Sequence, residues 1–591
     1  MPVCRGGVGS QGDRALSATN TKHSSARGIG WLSFPLLLLG GVIGSVGAQA
    51  QTPPADDELL RQRERDRALQ ERQETVPDVR LSVPLETVGR FPDQESPCFV
   101  IDTLAWQGED LQRFPWLDAA VAGDGADDTP IGRCLGTQGV NLVVQRAQNA
   151  LIERGFVTSR VLVEPQDLSD GTLTLTLLPG RIASLRVADP DRPHASLRNA
   201  VPARPGDILN LRDIEQALEN FQSLPSVDVD IQIAPADEPG SSDLVIDYAQ
   251  GFPLRPGWSL DNGGSDATGR YLNGVTVAYD NPLGINDLFY AYLGKDLGGG
   301  DSGRRGNKSR TLHYAVPWGY WRLAATASDH DYHQTVVGAF EDYVYSGTSR
   351  TLRAGLSRVI HRDASRKTSF DLAGFQRQSR NYIDDLEIEV QRRNVGGWEA
   401  GVAHREFLGR AVLDLGLGYQ RGTGAFGARP APEEPFGDGT SRFQIVTSNA
   451  DLDLPFQLGE QRLHYRGHWR MQRNLTPLSP LERFSIGSRY TVRGFHDTSL
   501  SAERGWLVRN ELEAPLGNSA QRLYAALDHG HVGGPSTEWL LGTQLTGAAV
   551  GLRGALLRHL HYDVFVATPV KKPDGFRSDG HDVGLSVNLV F

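Results

Sequence analysis

From about residue 257 to its C-terminus the chain alternates apolar and polar residues, with almost no helical periodicity. The stretches "RYLNGVTVAYD", "DLFYAYLGKDL", "RTLHYAVPWG", "FDLAGFQRQS", "AVLDLGLGYQR" and "HDVGLSVNLVF" place apolar residues at every second position. That period marks a strand with one apolar and one polar face. Short turns fall near 281–284, 361–366, 408–410 and 458–461. Longer Gly/Asp-rich stretches fall near 298–308, 332–348, 379–395, 422–440 and 471–503. Short turns on one side and long loops on the other predict an all-β transmembrane barrel of about 16 antiparallel strands over 253–591. Leu585, Val587, Leu589 and the terminal Phe591 continue the alternation to the last residue.

The pattern upstream is different. Residues 98–180 and 181–252 read as two related α+β modules. The first has "FVIDTLAW", the helix "NLVVQRAQNALIERG", and the strands "VTSRVLVEP" and "GTLTLTLLPG". The second has "RIASLRVAD", the helix "NLRDIEQALENFQSL", and the strands "SVDVDIQIAP" and "SDLVIDYA". Such a recurrence indicates an internal duplication, each unit a small sheet with helices on one face. Before them, "DDELLRQRERDRALQERQE" at 56–74 is dense in charge and helix formers. The segment 51–75 is therefore expected to be a helix suited to a polar channel, followed by a Pro-containing linker over 76–97.

Composition narrows the setting. The 591 residues carry a formal net charge of -11, which argues against nonspecific nucleic-acid binding. No stretch after residue 55 has the roughly 20 apolar residues of a spanning helix, so membrane crossing must come from strands. Residues 1–50 read as an export signal: Lys22 and Arg27, an apolar centre, then Ala48-Gln49-Ala50. Cleavage removes Cys4 and leaves Cys98 and Cys134, for which a disulfide is the default in an oxidising periplasm. "GGGDSGRRGNKS" lacks the Gly-Lys-Ser/Thr of a phosphate loop. "SDHDYHQT" and "DHGHVGG" lie at expected loop edges and do not make a metal site. No hydrolase or zinc-protease motif occurs, so no metal, cofactor or enzymatic activity is expected.

One short motif stands apart. In "FSIGSRYTVRGFHDTSLSAERGW", Arg493 lies between Val492 and Gly494-Phe495, and a charge among apolar neighbours calls for a partner. With "CFVIDTLAWQG", "GDILNLRDIEQALENFQSLPS" and "PLSPLERFSIGSRYTVRGF", the mature chain resembles the two-partner secretion transporters of the hemolysin secretion/activation family. The resemblance implies an N-terminal plug helix, a linker, two periplasmic POTRA domains and a 16-stranded outer-membrane barrel. It implies that the loop holding Val492, Arg493, Gly494 and Phe495 folds into the barrel. There Arg493 pairs with Asp528 of Leu527-Asp528-His529-Gly530, Gly494 allows a tight bend, and Phe495 packs beside it. Ser488 and His496-Asp497 depart from the family's usual glycine and Asp-Gly.

The partner implied is a large β-helical exoprotein whose N-terminal secretion domain binds the POTRA pair. The barrel assembly machinery, reading Phe591, and outer-membrane lipids complete the expected partners. An outer-membrane assembly factor is the alternative, but such relatives usually carry three to five POTRA domains and lack the charged plug. A diffusion porin would not need residues 98–250.

Overall fold

The computed structural model describes residues 54–74, 77–123, 127–191 and 195–591. The expected export signal, 1–50, lies outside the described residues. Among those described, no helix is long and apolar enough to cross a membrane. The crossing is made by a closed antiparallel barrel of sixteen strands, from Leu254–Asp261 to Asp582–Val590. Alternation places the side chains: Leu312 is exposed on the outer face, while its neighbours Thr311 and His313 are buried inside. Leu323, Leu352, Leu356, Leu372 and Leu415 extend the outer apolar belt, as a lipid-facing surface requires.

The ladders are uneven. Trp321–Val337 pairs with Asp342–Arg362 over seventeen positions, whereas the closing seam pairs only five, Ser586↔Asp261 to Val590↔Gly257. The long loops expected at 332–348 and 379–395 are mostly strand: pairing runs on to Val337↔Asp342, and the strand Arg366–Ile383 enters the second. There the strands rise above the apolar belt, where both faces can be polar. Ladder hydrogen bonds continue after the hydrophobic alternation has ended.

Each upstream module is a three-stranded sheet with a helix. In the first, Thr103–Gly108 pairs in parallel with Thr172–Leu178, which pairs with Arg160–Leu162. In the second, Arg181–Val187 and Val227–Pro235 flank Ser241–Gln250. The expected strand "FVIDTLAW" breaks at Asp102, its first part pairing instead with Arg133–Leu135. The disulfide Cys98–Cys134 ties those two short strands, with a Cα–Cα distance of 5.2 Å.

The helices do not both start at Asn-Leu. Asn210 caps Leu211–Gln222, accepting from the Arg212 backbone N–H, but the first module's helix starts a turn earlier, at Thr137. Glu95 of the linker supplies that cap, accepting from the N–H groups of Gly136, Gln138 and Gly139 at 2.8–2.9 Å. The linker is thus bound along both modules, with Val79 and Leu81 against the second core and Phe91 inside the first.

The second module sits on the short turns of the barrel. Asn220 donates to the Gly319 carbonyl at 2.8 Å and Tyr320 donates to Asp213 at 2.6 Å. Arg362 reaches Glu215 and Glu219 at 3.0 and 2.9 Å.

Candidate functional site

The helix Pro54–Gln73 has 20 residues and a span of about 30 Å, comparable to the thickness of a bilayer core. It lies inside the barrel, held mainly by charge. Glu58 accepts from Thr268 and Asn307 at 3.1 and 2.7 Å. Glu64 takes both ends of the Arg470 guanidinium at 3.0 Å. Glu74 closes the periplasmic end on Arg322 at 2.7 Å. Its apolar residues are few, Leu59, Leu60 and Leu69 being the buried ones. Beside it remains a cavity of about 890 Å³, bordered by Glu64, Glu71, Asp451, Tyr490 and Arg509 among others. The helix occupies the lumen without filling it.

The loop between Gln461–Asn474 and Arg504–Pro515 folds back into the same lumen. Its stalk is a two-stranded ladder, Phe484–Ile486 with Leu500–Ala502. Phe484, Ile486, Val492, Phe495 and Leu500 form an apolar cluster with Leu507, Val532 and Leu545 of the wall and with Phe576. Val492 and Phe495 therefore clamp the loop while Arg493, between them, points at the wall. The Phe495 ring meets Phe576 edge-on at 6.0 Å.

Arg493 is 2% exposed and Asp528 1%. The guanidinium binds Asp528 twice, Nε to Oδ2 at 2.7 Å and Nη2 to Oδ1 at 2.8 Å, and its backbone N–H adds a contact at 3.2 Å. A bidentate pair of this kind fixes direction as well as charge. The remaining edge, Nη1, donates to Glu511 at 2.8 Å, a residue the sequence reading missed. Glu511 in turn receives Arg553 at 2.8 Å. Glu511 and Glu513 alternate in "RNELEAP", and two acids on one face of a strand are a legible sign of a polar lumen.

Glycines make room for this contact. Gly494 has φ +93°, and a Cβ there would lie 2.8 Å from the Thr568 carbonyl carbon. At Gly530 a Cβ would meet Ile486 at 2.8 Å. Gly547, also missed, pairs with Asp528 across the ladder, and a Cβ on it would fall 1.8 Å from the Arg493 carbonyl oxygen. The loop also touches the helix. Arg61 donates to Asp497 at 3.1 Å while holding Asp57 at 2.7 Å, and Arg63 reaches the Leu481 carbonyl. Phe591 lies elsewhere, at the periplasmic end of the seam, its N–H donating to Pro256 and its ring stacked on His559.

This geometry has relatives. The family model "Haemolysin secretion/activation protein ShlB/FhaC/HecB" matches residues 240–554, and POTRA models match 128–180 and 181–235. The chain belongs to the haemolysin secretion/activation family. It is 37% identical to the outer membrane transporter CdiB-2 of Burkholderia pseudomallei, over 92% of this chain and 95% of that protein. The solved structure of CdiB from Acinetobacter baumannii aligns with a TM-score of 0.79 and 30% identity, over 91% of this chain and 99% of that one. CdiB from Escherichia coli gives a TM-score of 0.80 and 26% identity, over 92% and 99%. As a family member, the chain is an outer-membrane transporter of two-partner secretion with its POTRA domains in the periplasm. The assembly-factor alternative is set aside. Members of this family are transporters rather than enzymes, and a secreted exoprotein is the partner class.

Proposed function

We propose that the structure represents the resting transporter, and that the luminal helix leaves its place when an unfolded exoprotein enters from the periplasm. The observation that carries this reading is the way the helix is held. Ion pairs such as Glu64–Arg470 can be exchanged for water and for the polar backbone of a passing chain, whereas a wide apolar contact cannot. The edge strands of the POTRA sheets, Val227–Pro235 in the second and, once Gln148 releases the Val161 N–H that now donates to it at 3.3 Å, Arg160–Leu162 in the first, offer strand addition to the secretion domain of a large β-helical cargo. Folding of that cargo outside supplies the drive. Arg493, Asp528 and Glu511 hold the inserted loop against the wall while the lumen is emptied and refilled. Phe591 serves recognition by the barrel assembly machinery, and the outer apolar belt contacts outer-membrane lipid. The protein's role is transport rather than catalysis.

The test fixes the helix in place. In a chain carrying Glu64→Cys with Arg470→Cys, a short cleavable bifunctional thiol reagent should stop secretion, and cleavage of the reagent should restore it. Secretion at the unmodified rate through the cross-linked barrel would refute displacement.

A further inference from the structure

Where the inserted loop meets the two strands of the barrel seam, three residues far apart in sequence converge. Asp266 lies in the loop after Leu254–Asp261, and His496 and Asp497 follow the Arg493 motif. One ligand atom from each falls within 4.8 Å of the other two. The place is the extracellular mouth, the end opposite the short turns.

The polar atoms here are unevenly satisfied. Asp497 uses Oδ1 for Arg61 at 3.1 Å and for the Asp266 backbone N–H at 3.2 Å. Its Oδ2 faces His496 Nε2 at 3.8 Å. That Nε2 is buried and has no hydrogen-bond partner, and neither has Asp266 Oδ1. Behind the imidazole stands Asp582, 6% exposed, with its Oδ1 3.7 Å from His496 Nδ1 and likewise without a hydrogen bond. A small shift that closed this gap to a hydrogen bond would hold the proton on Nδ1 and leave the Nε2 lone pair facing outward, as behind metal-bound imidazoles.

Charge points the same way. Asp57, Asp266, Asp497 and Asp582 are four carboxylates. The guanidinium groups facing them are two, Arg61 on Asp57 and Asp497, and Arg270 at 3.7 Å from Asp266. Asp301, whose N–H donates to the Asp266 carbonyl at 2.8 Å, adds a further acid beside them, so carboxylates outnumber guanidinium groups and the place favours a cation.

We propose that Asp266, His496 and Asp497 form a divalent transition-metal site, zinc being the cation that suits one imidazole and two carboxylates, with Asp582 positioning the imidazole. Zinc ligands lie about 2.0–2.2 Å from the ion, so small side-chain rotations close the set. The ion ties the loop that carries Arg493 to the loop after Leu254–Asp261, beyond the last paired position of the seam, Ser586↔Asp261, while Asp582 steadies the imidazole from the other strand.

The experiment uses the untagged full chain in detergent, stripped with a chelator, equilibrated with Zn²⁺ and freed of excess by gel filtration. The wild type should retain one zinc per chain by elemental analysis, and Asp266→Asn and His496→Gln should retain none. Asp582→Asn should bind about 10–100-fold more weakly. Heat-modifiable migration on gels checks that each barrel is folded. X-ray absorption at the zinc edge of the wild type reads the ligands without any variant: one imidazole, the rest oxygen. A wild type that retains no zinc overturns the site. So do equal retention in the Asp266→Asn and His496→Gln variants, or a spectrum with sulfur or with more than one imidazole.

Discussion

Arg493 gives up its hydration inside the barrel and receives two carboxylates in exchange, which changes what its removal should do. Arg493→Ala strands Asp528, whose nearest other cation, Arg509 Nε, is 3.9 Å away. Leaving a buried charge unpaired costs about 3–5 kcal/mol. Asp528→Ala is milder, because Glu511 still holds the guanidinium at 2.8 Å. We therefore expect Arg493→Ala to insert at near-normal levels yet secrete little partner, with Asp528→Ala intermediate. Secretion per folded barrel, with barrel level read by heat-modifiable migration, is the measurement, and a reversed order would contradict it. Gly547→Ala tests the same contact without touching a charge. Its Cβ would intrude 1.8 Å from the Arg493 carbonyl oxygen, and relieving such overlap costs about 1–3 kcal/mol. The loop should detach and secretion fall as for Arg493→Ala; wild-type secretion by this variant would show that the loop's close approach does not matter. Arg493 was legible because a charge between apolar residues is an anomaly along the chain. Gly547 was not, since a glycine in an alternating strand shows nothing until the loop opposite it is placed.

The luminal helix was legible as an element because its charge density excludes a core and its composition favours a helix. Its individual ties were not, since Glu58, Glu64 and Glu74 find partners 210 to 406 positions away. The linker looked like a spacer because Val79, Leu81 and Phe91 are separated by prolines and polar residues and have no period. Those same residues are its anchors. Strand ends were the weakest reading, for outside the membrane belt hydrophobic alternation stops while pairing persists. With the lumen partly filled by one helix, deletion of 54–74 should raise single-channel conductance in planar bilayers and leave insertion intact. Unchanged conductance would mean that ions already pass freely around the helix.

On the scale of the whole molecule, the second POTRA domain and the barrel meet through groups that no local pattern announces. Glu219 and Arg362 are 143 positions apart. The helix Leu211–Gln222 shows its apolar face plainly in sequence, but Glu215 and Glu219 on its other side look like ordinary solvated acids. In the structure Glu219 is buried between Arg362 and Lys367, with ion pairs at 2.9 and 2.5 Å, and Glu215 shares Arg362 and Arg212. Burial pushes the Glu219 carboxyl up, but the hydrogen bonds and charges of Arg362 and Lys367 outweigh it and hold the pKa below the ordinary 4.5. A carboxyl lowered by docking stabilises the docked arrangement fully above its free value and loses that contribution as pH falls through the docked one. The POTRA domain should therefore stay fixed at neutral pH and loosen below 4.5. Spin labels on Asp237→Cys and Arg410→Cys, both exposed positions, would report the distance between domain and barrel by pulsed electron resonance. We expect a narrow distribution near neutral pH that broadens in acid. Glu219→Gln should be broad already at neutral pH and respond less to acid, because the charge that acid would remove is gone. An acid-insensitive wild type would place the strength of docking elsewhere, in neutral contacts such as Asn220 to Gly319.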